Sequence, residues 1–137
     1  LIAVADDSGI SVDALGGAPG VYSARYAGGH GDAEANNAKM LQELQGVPDA
    51  KRTARFVCVV AASKPDGQTI TAHGQWEGRI THGYAGKSGF GYDPIFFDLE
   101  MNMTAAQMTP EQKNSRSHRG KALRELLTQW RGFAGNV

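Results

Sequence analysis

The 137-residue sequence has a single cysteine, Cys58, so no internal disulfide can form. Its setting, Phe56-Val57-Cys58-Val59-Val60, reads as a small apolar side chain in a strand rather than a reactive thiol or a metal ligand. Long hydrophobic runs are also missing. The longest, Phe56 to Ala62, falls far short of the about 20 apolar residues a membrane-spanning helix needs. There is no excess of either charge: 14 basic and 14 acidic residues cancel. Long-range attraction to nucleic acid or to an anionic membrane is therefore not expected, and a nucleotide ligand would have to be held by local charge. No internal repeat, low-complexity tract or linker-like Pro/Ser run marks a second domain. With 41% hydrophobic and 20% charged residues, the chain can bury one modest core. We expect one domain over 1–137, in a reducing, cytoplasmic compartment.

Glycine is plentiful, with 18 residues, and three chemically loaded clusters contain some of them. The first is Ser88-Gly89-Phe90-Gly91-Tyr92-Asp93-Pro94, which sets two aromatics and a carboxylate among backbone-permissive glycines. Such a loop lets the chain approach a flat ligand closely, and an aromatic ring offers it a stacking face. Pro94 biases Asp93 toward an extended backbone, at a loop-to-strand junction rather than in a helix. The second cluster follows the apolar run Leu1-Ile2-Ala3-Val4-Ala5, read as a buried strand that ends in Asp6-Asp7-Ser8-Gly9. An acidic pair at such an edge suits Mg²⁺, which takes carboxylate, water and phosphate oxygens. Strand alternation points Asp6 and Asp7 to opposite faces, so one of them is expected to hold the metal directly. The third cluster is Lys113-Asn114-Ser115-Arg116-Ser117-His118-Arg119-Gly120-Lys121. It leads into an amphipathic helix with Leu123, Leu126, Leu127 and Trp130 at spacings of three and four. Ser117 is the expected N-cap, and basic groups in the first turn oppose the helix dipole unless an anion or an electron-rich carbonyl meets them.

Between the clusters, Asp32 through Leu44 reads as a helix capped by Asp32, with Ala35, Ala38, Leu41 and Leu44 along one side, ending at Gly46 before Pro48. Phe56 to Ser63 and Thr69 to Arg79 read as strands joined by the turn Lys64-Pro65-Asp66-Gly67 into a β-hairpin. Trp76, His73 and His82 are expected to pack or to lie on the surface.

Taken together, Ala5-Asp6-Asp7-Ser8-Gly9, Leu15-Gly16-Gly17-Ala18-Pro19-Gly20-Val21-Tyr22-Ser23-Ala24-Arg25-Tyr26, Gly89-Phe90-Gly91-Tyr92-Asp93-Pro94-Ile95-Phe96 and Ser117-His118-Arg119-Gly120 follow one another as they do in a known family. The chain resembles the inosine triphosphate pyrophosphatases, house-cleaning hydrolases of noncanonical purine nucleoside triphosphates. The resemblance implies a mixed α/β (α+β) fold with a long central mixed sheet, flanking helices and two lobes around a nucleotide cleft. It further implies Mg²⁺-dependent hydrolysis of ITP, dITP and XTP to the nucleoside monophosphate and pyrophosphate, and a homodimer. By the same resemblance Asp7 binds the metal and accepts the proton from water, with Asp6 a second metal candidate. Ser8 contacts substrate, Phe90 stacks on the purine, and Gly91, Tyr92 and Asp93 complete the pocket. Lys113 contacts the triphosphate or sugar, and His118 and Arg119 meet the 6-keto oxygen. Members of the family open with a strand, a Thr/Ser-Gly-Asn-x-x-Lys phosphate loop and helices bearing a metal-binding glutamate. None of these stands in this sequence, so we expect it to be the C-terminal part of a longer protein.

Two other readings compete. The opening Val4-Ala5-Asp6-Asp7-Ser8 has the look of the acidic pocket of a phosphoacceptor receiver domain, but such a domain needs repeated strand-helix units and a long hairpin follows here instead. The second is a purine-nucleotide-binding module that stacks a base on Phe90 without turning it over.

Overall fold

The computed structural model describes residues 1–28 and 31–134. Its frame is the hairpin. Strands β3 (Thr53–Ser63) and β4 (Thr69–Ile80) run antiparallel from Thr53↔Arg79 to Ser63↔Thr69, turning through Lys64–Gly67 as the proline and glycine there require. Strand β1 (Ala3–Val12) pairs with the other side of β3, from Ala3↔Ser63 to Val12↔Ala54. Short strands β2 (Pro19–Gly20), β5 (Phe96–Asp98) and β6 (Met103–Thr104) complete a six-stranded sheet in the order β2-β1-β3-β4-β5-β6. The mixed α+β class holds, but among the described residues every strand pair is antiparallel, where a mixed sheet was expected. Among the described residues no helix crosses from one of these strands to a parallel neighbour, and such a crossover is what parallel pairing needs.

The acidic strand also differs from expectation. It neither ends at Asp6 nor is buried there. Its pairing with β3 carries it on to Val12, and burial begins only near Ile10. On its outer side β1 meets β2 only at Ile10 and Ser11. Residues 3–9 therefore form a sheet edge without a strand partner among the described residues. The carboxylates lie mid-strand along that edge.

Alternation fixes which face is covered. In β3 the even-numbered residues, Ala54 through Ala62, are buried and the intervening ones are not. Helix α3 (His118–Ala134) packs on this face, where Ala122 and Leu126 join Cys58, Val60 and Ala62 in one apolar cluster. Leu123 and Leu127 point outward instead, 41% and 67% exposed, because Ala122 and Phe133 take the inward positions. A second cluster centres on Trp76, Phe56 and Phe96. Trp76 is fully buried, with its Nε1–H donating to Asp98 Oδ2 at 2.9 Å, whereas His73 stays exposed and His82 pairs with Asp49 at the surface.

Helix α1 (Ala33–Glu43) starts where expected, with Ala35 N donating to Asp32 Oδ1 at 3.2 Å. Its inward side is Asn36, Asn37 and Met40, leading to Leu44, while Ala38 is exposed. Asparagines belong there because backbone, not oil, lies beneath: Asn36 takes the amide of Ala27 and donates to the carbonyl of Ala24, and Asn37 donates to the carbonyl of Gly91. Among the described residues no helix is long and apolar enough to cross a membrane.

Candidate active site

All ten residues singled out from the sequence converge on one cavity of about 610 Å³. Asp6, Asp7 and Ser8 reach it from the open edge of β1. Phe90, Gly91, Tyr92 and Asp93 come from the loop before β5. Lys113 extends from helix α2 (Pro110–Arg116), and His118 and Arg119 lie in the first turn of α3.

The loop is built around Asp93. Instead of an extended backbone, Asp93 begins a short 3-10 turn, Asp93–Ile95, that hands the chain to β5. Asp93 is 4% exposed, and its carboxylate accepts the Phe90 N–H at 3.0 Å and is ion-paired with Lys113. These two bonds hold it in the turn against the preference that Pro94 imposes. Gly89, at φ +78°, is required here, since a β-carbon would run into that carboxylate. The same carboxylate places Lys113 Nζ 4.4 Å from the centroid of the Phe90 ring. Phe90 itself is 75% exposed, a flat apolar face held open to the cavity. Tyr92 turns inward, its hydroxyl donating to Ser23 O at 2.5 Å, and burial raises its pKa so that it stays a neutral phenol. It serves as an anchor beneath the loop.

At the other wall, Ser117 Oγ accepts the Gly120 N–H at 3.0 Å, the N-cap read from the sequence. His118 stacks on Phe56 with ring centroids 4.7 Å apart and planes 14° from parallel, and its Nδ1 is buried with no hydrogen-bond partner. Burial, reinforced by the charges of Lys113, Arg119 and Lys121, pulls its pKa from 6.5 down to about 4. The ring is thus a neutral imidazole at physiological pH, with one N–H to give. In the unfolded chain the same histidine takes its proton near pH 6.5, so between about pH 6.5 and 4 the unfolded state binds more protons. Stability from this group is complete above that window and is lost as pH falls through it. We expect His118→Gln to flatten the loss of stability between about pH 6.5 and 4, as measured by urea unfolding. An unchanged slope would remove His118 as its source.

The acidic pair divides its work. Asp6 Oδ2 accepts from Arg119 Nη2 at 3.0 Å, whereas Asp7 has no ion-pair partner among the described residues. No group of three His, Cys, Asp or Glu able to enclose a metal occurs among them. One free carboxylate facing an open cavity suits a hard cation that keeps water and brings substrate phosphates as its remaining ligands, and it does not suit a closed protein cage.

Several wall residues carried no role in the sequence reading. Phe56 read as strand core, yet it is the platform for His118. Ser23 and Ala24 stand in the Tyr-Ser-Ala-Arg-Tyr segment, and Ser23 ties β1 to this loop by accepting the Ile10 N–H at 2.8 Å and donating to Gly20 O at 2.6 Å. Asn114, next to Lys113, also lines the cavity.

Known proteins resemble this chain in sequence and fold. The Ham1 family profile matches residues 1–129. The dITP/XTP pyrophosphatase of Nitratidesulfovibrio vulgaris is 55% identical, covering 96% of this chain and 67% of its own length. That of Thioalkalivibrio sulfidiphilus is also 55% identical, with 96% and 68% covered. Among solved structures, the Ham1 protein of Staphylococcus aureus superimposes with a TM-score of 0.90 at 45% identity, over 96% of this chain and 67% of that one. A HAM1 protein from Coxiella burnetii gives 0.86 at 45% identity, over 93% and 66%. The chain spans about two thirds of the length of these relatives, and it belongs to the Ham1 family.

Proposed function

We propose that the chain hydrolyses noncanonical purine nucleoside triphosphates, ITP, dITP and XTP, to the nucleoside monophosphate and pyrophosphate. The observation that carries this is one cavity holding the exposed aromatic face of Phe90, the His118 and Arg119 side chains and the carboxylate of Asp7, which has no ion-pair partner among the described residues. The names of its relatives, dITP/XTP pyrophosphatases, point the same way. Phe90 stacks the base. Arg119, and His118 as a neutral donor, meet the 6-keto oxygen, where adenine would present an amino donor instead. Facing donors leave buried polar groups unmatched, and sites built this way reject the wrong partner strongly. Gly91 lets the loop backbone lie close to the base. Ser8, beside Asp7 on the strand edge, and Lys113 hold the sugar and phosphates.

Asp7 takes the proton of the attacking water. The water oxygen forms a bond to the α-phosphorus while the bond from that phosphorus to the bridging α-β oxygen breaks, and pyrophosphate leaves with the electron pair. Asp7 also offers the carboxylate for a divalent cation, Mg²⁺ in this reading, which when bound neutralises charge on the phosphate oxygens. A homodimer and a cytoplasmic location belong to the same reading and rest on the family resemblance.

The test is pyrophosphate release with Mg²⁺ from inosine, xanthosine, adenosine and guanosine triphosphates. Preference for inosine and xanthosine over adenosine triphosphate by a factor on the order of 10² or more is expected, as for other sites that discriminate by polar mismatch at the 6-position. Purine binding with no release on any of the four would leave a binding module and overturn the hydrolase reading.

A further inference from the structure

Asp6 stands beside the proton acceptor on the same strand, yet its carboxylate is turned toward a different partner. Alternation along β1 sends it to the face covered by α3, opposite to Asp7, and there it holds Arg119 at 3.0 Å. Both side chains are partly open, at 36% and 58% exposure, so the contact lies in the cavity wall and not in the core. The site uses this device twice: Asp93 holds Lys113, and Asp6 holds Arg119. We propose that Asp6 acts on the purine through Arg119, as the positioning residue that keeps the guanidinium aimed at the base, and is not a ligand of the metal. The proposal rests on the reading of Arg119 as a base contact.

The chemistry supports this division. A guanidinium carries five N–H donors in a rigid fork, so one bond to Asp6 leaves donors free for a keto oxygen. An arginine on a long flexible stem would otherwise be ordered only when substrate arrives, which weakens binding by roughly three- to tenfold for a single rotamer-rich side chain. No other carboxylate pairs with Arg119 among the described residues. Drawing Asp6 away to a metal would therefore release the arginine just when the base must be read.

The experiment is calorimetric titration of the chain with inosine monophosphate in the presence of EDTA, which isolates base recognition from metal and from turnover. Asp6→Asn is expected to weaken binding roughly three- to tenfold, and Arg119→Ala at least as much. The double variant should bind no more weakly than Arg119→Ala alone, because the carboxylate has nothing left to position. Asp6→Glu should recover part of the loss, and unchanged thermal melting of Asp6→Asn shows that the effect is not one of folding. Binding by Asp6→Asn equal to the wild type overturns the proposal, and so do additive losses in the double variant. If Asp6 were a metal ligand, Asp6→Asn would bind inosine monophosphate normally in EDTA and would shift only the Mg²⁺ dependence of turnover. A folded wild-type chain that bound no inosine monophosphate would overturn the nucleotide reading itself, a different result from a silent Asp6 substitution.

Discussion

Replacing Asp7 by asparagine is expected to lower pyrophosphate release from inosine triphosphate about a thousandfold while leaving the fold intact. General-base catalysis typically contributes factors of about 10² to 10⁴, and of the two aspartates that line the cavity Asp7 is the one without a cationic partner among the described residues. Asparagine keeps the volume and the strand geometry, so the pairing Asp7↔Val59 is unaffected and the lost group is only the negatively charged acceptor. The side chain is exposed and anchors nothing else, so the melting temperature should move little. Affinity for inosine monophosphate should likewise persist, since in the proposed reading the base is met by Phe90, His118 and Arg119 and not by Asp7. Steady-state kinetics on the purified variant decides the matter. Activity within tenfold of the wild type would remove Asp7 as proton acceptor.

The second large effect is expected at Gly74, a residue outside the cavity. It lies mid-strand in β4, where the first turn of α3 crosses so closely that a β-carbon would run into the carbonyl oxygen of His118 and come within 2.6 Å of Ala122 N. Backbone cannot swing aside as a flexible side chain can. Gly74→Ala must therefore lift the helix from the sheet, at about 1–3 kcal/mol, as for other overpacked contacts. The lifted turn is the one that carries His118 and Arg119, so base affinity should fall together with stability. Gly83→Ala is the control, because nothing lies within 4 Å of a β-carbon there and it should be close to neutral. Thermal melting and inosine monophosphate titration of both variants test this. A stable Gly74→Ala protein with full affinity would show that the close approach is not needed.

The parts of the molecule legible in the sequence are those where local chemistry decides. The Lys64–Gly67 turn and the alternation on either side of it gave the hairpin, Asp32 gave the start of α1, and Ser117 gave the start of α3. The residues that line the cavity could be picked out because four motifs kept their order, although nothing local states that segments more than a hundred residues apart share a cavity. What could not be read depended on long-range partners. The extent of β1 is set by ten residues of β3, and only that pairing carries the strand past its own acidic pair. The inward face of α1 defied hydrophobic periodicity because the backbone carbonyls of Ala24 and Gly91 lie beneath it and want amide donors. Asp93 read as part of the purine pocket, but Lys113, twenty residues on, claims its carboxylate.

The open edge of β1 has a consequence for the handling of the protein. The seven residues of that edge, five of them alanine, valine, serine or glycine, present outward-pointing backbone donors and acceptors at alternate positions with no strand partner among the described residues, a template on which another extended chain can add. Asp6 and Asp7 are the charged residues in that stretch, and like charges brought side by side along a shared strand repel. Neutralising both would thus remove a guard against self-association, and a doubly substituted chain would be recovered from the aggregated fraction before its loss of turnover could be measured.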